Sequence, residues 1–239
     1  MKNNSIRSIL KKLGLVNTFF IIYLILCLLA YLIIGRNICL WLMWNSFLGW
    51  VAFIFIQLFA RYPRAWIFLI LGVLFLPNAF YIITDFIHVN NLGFYRLLGY
   101  SRVLYIENIT PWVELFIISL GAIFGWVVGL KSINTITQKL PPRLKKFKLA
   151  KKIGFSQKFT GKLIIPLTLS LLSGFGIWIG RFLRLNSWDI FRPLLLIEYI
   201  ISRVNWFAVV FTSLFTFFIF ASYLVVYKIN LKRLFDKEN

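Results

Sequence analysis

Six apolar runs, at residues 16–35, 38–60, 65–89, 111–130, 164–185 and 205–228, constrain this chain more than any other feature. A bilayer core of roughly 30 Å takes about 20 apolar residues as a helix, and all six runs reach that length. Barrel strands are excluded, because a strand that faces lipid on one side and a lumen on the other alternates in polarity, and these runs do not. With 60% hydrophobic residues and 26 phenylalanines in 239 residues, the chain carries more apolar side chains than a water-soluble domain of this size can bury. The first run lacks a small-residue cleavage site and meets the second after only Arg36 and Asn37, so it reads as a retained helix. The expected fold is all-α: a single membrane domain over 1–239, polytopic, with six transmembrane helices.

Orientation follows from the basic residues, which are retained on the cytoplasmic side of membrane helices. Lys2, Arg7, Lys11 and Lys12 precede the first run, Arg61 and Arg64 lie between the second and third, and Lys228, Lys232, Arg233 and Lys237 follow the last. The connection 131–163 holds ten more and no acid. Six spans place all four stretches on one face, which predicts that both termini and the 131–163 loop are cytoplasmic and that the protein is integral to the cell membrane. Twenty cations then lie inside, including every lysine, and the seven outside are all arginine.

A net charge of +20 raises nucleic acid as a partner, but the basic loop has neither a recognition motif nor the interleaved aromatic residues that stack on bases. Lys and Arg just inside a membrane helix attract anionic lipid by about 1 kcal/mol each, so the expected partners of 131–163 are the bilayer and its anionic inner leaflet. Pro141 and Pro142 are expected to break the chain before a basic stretch on that surface. Cys27 and Cys39 have no metal-ligand spacing and read as small apolar residues.

Polar residues within the spans carry the functional argument, since an ionisable group there costs at least ~2.5 kcal/mol and usually faces the bundle interior. In the third run, Asn78, Tyr81, Asp85 and His88 fall on one stripe roughly 80° wide at helical spacing, just after Pro77, which frees a backbone carbonyl and kinks a helix. Asp85 is expected about one turn below the outer surface. Asn45 of the second run and Glu114 of the fourth lie at similar depth. The fifth ends with Arg181 and Arg184, three apart and so on one face, followed by Asn186 and Asp189. Gly176 and Gly180, four apart, permit close helix approach. These ten residues form a candidate extracytoplasmic pocket. Plainer roles stay open: snorkelling for the arginines, a structural ion pair for Asp85 and Arg181, and a solvated interface for His88.

At these residues the chain resembles a known family. Pro77-Asn78-Ala79 with Tyr81, Thr84-Asp85 and His88, then Trp112 to Leu115, then Gly180-Arg181-Phe182-Leu183-Arg184 with Asn186-Ser187-Trp188-Asp189, is similar to the bacterial membrane-protein family called domain of unknown function 1361, over roughly residues 40 to 228. Phe80, Glu114 and Leu185 stand where that family is expected to carry proline, aspartate and tryptophan. The resemblance implies the architecture and no known activity.

The residue chemistry favours a site that binds or processes a lipid headgroup, an anion or a metal-bound substrate. Arg181 and Arg184 suit phosphate or carboxylate. Asp85, His88 and Asp189 are conceivable ligands of a divalent metal, although one histidine is thin for zinc. Whether the protein is an enzyme is left open. The alternatives are a proton-coupled transporter, against which no inverted repeat is visible, and an accessory or scaffold protein without catalysis. The apolar stretch 190–201, within an outer segment 186–204, is too short to span and is expected to form an interfacial or re-entrant helix from Pro193, a residue suited to a helix start.

Overall fold

A computed structural model describes residues 3–62, 64–98, 102–144, 160–185 and 193–227. The elements in chain order are α1 (Asn3–Ile34), α2 (Ile38–Arg61), α3 (Trp66–Tyr81), a 3-10 helix (Ile82–Asn91), β1 (Tyr95–Leu98), β2 (Arg102–Tyr105), α4 (Ile109–Leu144), α5 (Ile165–Trp178), α6 (Pro193–Arg203) and α7 (Trp206–Val226). Short π-helical turns flank α5 at Thr160–Ile164 and Ile179–Leu183. Among the described residues six helices are long and apolar enough to cross a membrane. Their outward faces are lined with large apolar side chains, including Ile25, Leu29 and Ile33 on α1 and Leu214, Phe217 and Phe218 on α7. Water would not tolerate so continuous an apolar surface, and lipid does. The protein is an all-α, multi-pass membrane protein.

The fourth helix is the hub. Tyr23 and Cys27 of α1 and Cys39 and Leu42 of α2 pack on its Ile117 and Ile118. Ile56, Leu76, Phe80, Ile177, Ile219 and Tyr223 gather with its Ile133 and Ile136. Glycines make this closeness possible. A Cβ on Gly125 would collide with the backbone carbonyl of Ala79, and one on Gly129 would collide with the ring of Phe80. Without much apolar driving force between helices in lipid, such backbone-close packing is a main source of association. The last helix is started by Asn205, whose side chain accepts a hydrogen bond from the Ala208 N–H at 3.0 Å.

Three features depart from the sequence expectation. First, α4 does not stop near residue 130 or break at Pro141 and Pro142; it continues to Leu144, because Ile133 and Ile136 stay buried and hold the extra turns to the bundle. Residues 145–159, the rest of the basic loop, lie outside the described residues. Second, the connection before α4 contains an antiparallel hairpin, with Tyr95 opposite Tyr105 and Leu98 opposite Arg102. Third, the polar end of the third span is not α-helical but 3-10, from Ile82 onward.

Candidate functional site

A 3-10 helix repeats every three residues rather than every 3.6, so residues three apart lie directly above one another. That winding puts Asp85 and His88 on one face. Asp85 is 6% exposed, while His88 is exposed at the end of the stripe. Thr84, next to Asp85, donates its hydroxyl hydrogen to the Tyr81 carbonyl at 2.6 Å, which leaves its oxygen lone pairs free to accept.

They accept from Arg181. This residue sits in the π-helical turn that ends the fifth span, and wider π turns recur at functional sites because they redirect side chains. Arg181 Nε donates to Thr84 Oγ1 at 3.0 Å, and Nη2 donates both to that oxygen and to Asp85 Oδ1, the latter at 2.6 Å. The guanidinium lies over the Tyr81 ring, 4.3 Å from its centroid, within range of a cation–π attraction. Asn45 Nδ2 donates to the other Asp85 oxygen at 3.2 Å. A carboxylate this buried would cost several kcal/mol without partners; here each oxygen has a donor, one of them charged.

Close packing brings these helices together. A Cβ on Gly176 would lie 2.7 Å from the Pro77 Cβ, and closer to its Cγ, while one on Gly180 would lie 3.3 Å from the Tyr81 ring. The glycine pair of the fifth span therefore rests on the proline and tyrosine of α3, which sets the depth at which Arg181 meets Asp85.

Two cavities adjoin at this layer. The larger, of about 750 Å³, is bounded at its polar end by Asn45, Asn78, Tyr81, Asp85, His88 and Arg181. Its walls are apolar, with Leu48, Val73 and Leu74 facing Leu172 and Phe175, and Leu196 and Ile200 of α6 along one side. The smaller, of about 290 Å³, is lined by Arg36, Asn37, Trp41, Glu114, Asp85 and His88, among others. Trp41, Asp85 and His88 line both. Glu114, only 2% exposed, forms an ion pair with Arg36, Oε1 lying 3.1 Å from Nε, whereas the Arg36 side chain is 54% exposed. Its other oxygen, Oε2, is buried and has no hydrogen-bond partner among the described residues.

Of the ten residues singled out in the sequence, six line the larger cavity and Glu114 lines the smaller. Arg184 lines neither of these cavities; it takes a left-handed conformation (φ 55, ψ 30) just past the π turn and is exposed. Asn186 and Asp189 lie outside the described residues. Among the described residues no group of three or more His, Cys, Asp or Glu is placed to hold a metal ion; Asp85 and His88 share the cavities, and the third suggested ligand, Asp189, is not described. Sequence reasoning missed Arg36, Trp41 and Thr84. Arg36 was legible in principle, since a two-residue link between spans must sit at the level of Glu114. The stretch from Pro193 is a helix, α6, and its Leu196 and Ile200 enter the wall of the larger cavity.

A model of the family described as "Protein of unknown function (DUF1361)" matches residues 44–222, well over half of the chain, and the chain belongs to that family. No curated protein and no solved structure matches it.

Proposed function

We propose, for this member of the family, that the polar layer binds an amphiphile at the extracytoplasmic side of the cell membrane, with the anionic headgroup at Arg181 and an acyl or other apolar chain against the cavity wall. One observation carries the reading: a single cavity of about 750 Å³ joins a partly buried, oriented guanidinium to a wall of Leu48, Val73, Leu74, Leu172 and Phe175. That volume falls within the roughly 300–1,000 Å³ of small-molecule sites. Arginine suits the task, because its planar fork can keep Asp85 and Thr84 on one edge while offering donors to phosphate or carboxylate. Leu196 and Ile200 of α6 fit a cover that follows the ligand in the interface. The same ion pair would also serve a scaffold, and it is this second reading that binding must exclude.

The test is lipid retention. Full-length protein extracted in mild detergent and analysed by native mass spectrometry is expected to carry one tightly held phospholipid per chain. Arg181→Lys, which keeps the charge but loses the fork, should lower occupancy on the order of tenfold. A chain that emerges lipid-free and unchanged by the substitution would favour the scaffold.

The sidedness of the site rests on charge. With the lysine-rich stretches inside, the layer of Asp85, His88 and Glu114 faces out. Single cysteines introduced into an otherwise cysteine-free chain should react with an impermeant reagent in intact cells at position 96 and not at position 148. Rapid reaction at 148 would turn the site towards the cytoplasm.

A further inference from the structure

The smaller cavity is not explained by an anion at Arg181. It holds a second ion pair, Arg36 with Glu114, and shares Trp41, Asp85 and His88 with the larger cavity. Glu114 is 98% buried, yet its Oε2 lacks a partner among the described residues, and a buried carboxylate oxygen without a donor loses much of the solvation it had in water. Glu114 lines this cavity, and an N–H donor that reaches Oε2 from it would remedy that. Two further features favour a positively charged donor. Asp85 supplies a second carboxylate to the same wall, and the indole of Trp41, 67% exposed, offers a π face of the kind that attracts ammonium groups.

Charge balance extends the argument. The two cavities together contain two carboxylates, Asp85 and Glu114, each paired with one arginine. A lone anion or a lone cation would unbalance that set beside two buried carboxylates, where uncompensated charge is costly. A molecule carrying both charges a few atoms apart would not.

We propose that the paired cavities form a site for a zwitterionic headgroup: an ammonium in the smaller cavity against Glu114, Asp85 and Trp41, and an acidic group, phosphate or carboxylate, at Arg181 in the larger. This rests on the amphiphile reading above and sharpens it. The same chemistry is available from an aminophospholipid or from a free amino-phosphate, and the experiment separates them.

Full-length protein is reconstituted into nanodiscs of equal parts phosphatidylethanolamine and phosphatidylglycerol, re-extracted, and its retained lipid counted by native mass spectrometry. In parallel, detergent-purified protein is titrated with free phosphoethanolamine and with inorganic phosphate while tryptophan fluorescence is followed. A lipid source predicts enrichment of phosphatidylethanolamine on the order of tenfold; a free source predicts saturable quenching by phosphoethanolamine and none by phosphate. Glu114→Gln should abolish whichever preference is seen and leave retention of phosphatidylglycerol intact. Since Glu114 is buried, Trp41→Leu at an exposed position serves as the second variant, and it should weaken the same preference without loss of folded protein. Equal retention of both lipids, with no response to phosphoethanolamine, removes the ammonium subsite but spares the anion site. Retention of neither lipid, with no binding of either free probe, removes both.

Discussion

Asp85→Ala is expected to cost about 3–5 kcal/mol of stability, the range for breaking a buried ion pair from one side. The substitution removes the 2.6 Å bond to Arg181 Nη2 and strands Asn45 Nδ2 as well. Among the described residues Arg181 keeps the Thr84 hydroxyl and the Tyr81 ring, neither of which neutralises its charge, in a position where its side chain is 15% exposed. The double variant Asp85→Ala/Arg181→Ala should recover part of that loss, with a coupling of about 0.5–3 kcal/mol, because it removes both charges together. Thermal unfolding in detergent of wild type, both single variants and the double variant gives the cycle. Additive losses would show that the pair does not stabilise the fold. The cycle also separates the two readings of the pair. A structural lock is restored with stability, whereas a binding site is not: the double variant should unfold at a higher temperature than Asp85→Ala and still retain no phospholipid.

How much of this was legible beforehand depended on the length scale of the signal. The six spans were legible because 20 consecutive apolar residues leave a chain little choice. A pairing of Asp85 with the Arg181/Arg184 pair was legible as one reading of their depth, because opposite charges near the same level of a membrane are expensive apart; the contact falls to Arg181. What could not be read was local winding. Nothing in Ile82–Asn91 marks it as 3-10 rather than α, and nothing around Arg181 marks the π turn. A shift from 3.6 to 3 residues per turn keeps Asp85 and His88 on one face, so that error did no harm. A shift in the other direction, followed by a left-handed residue, leaves Arg184 out of the lining of both cavities. The fourth span ran past its expected end for a related reason: Lys131 and Lys139 marked the membrane boundary, but a helix may leave the membrane and continue as long as residues such as Ile133 and Ile136 remain packed. Charge reports where lipid ends, and packing reports where a helix ends.

The contact between the fifth span and α3 supplies the second large effect. Gly176→Ala adds one methyl, yet the methyl would have to occupy the place of the Pro77 ring, with its Cβ 2.7 Å away and its Cγ nearer still. Proline cannot rotate its ring aside, because the ring is closed on its own backbone, so α5 must move off α3. Overpacking of this kind typically costs about 1–3 kcal/mol. Its local consequence is larger, since the same displacement draws Arg181 away from Asp85 and Thr84. Gly180→Ala, by contrast, meets only the edge of the Tyr81 ring at 3.3 Å, which can yield by a few tenths of an ångström. The expected order is therefore a marked drop in unfolding temperature and lipid retention for Gly176→Ala and a small one for Gly180→Ala. Pro77→Ala removes the Cγ atom that comes nearest to the new methyl and frees the remaining Cβ from the closed ring, so Pro77→Ala/Gly176→Ala should regain a measurable part of the loss. If Gly180→Ala proves the more damaging, or the proline substitution gives no relief, the two helices do not meet at Gly176 and Pro77 in the membrane. The depth that aligns the guanidinium with its carboxylate would then have to come from another contact.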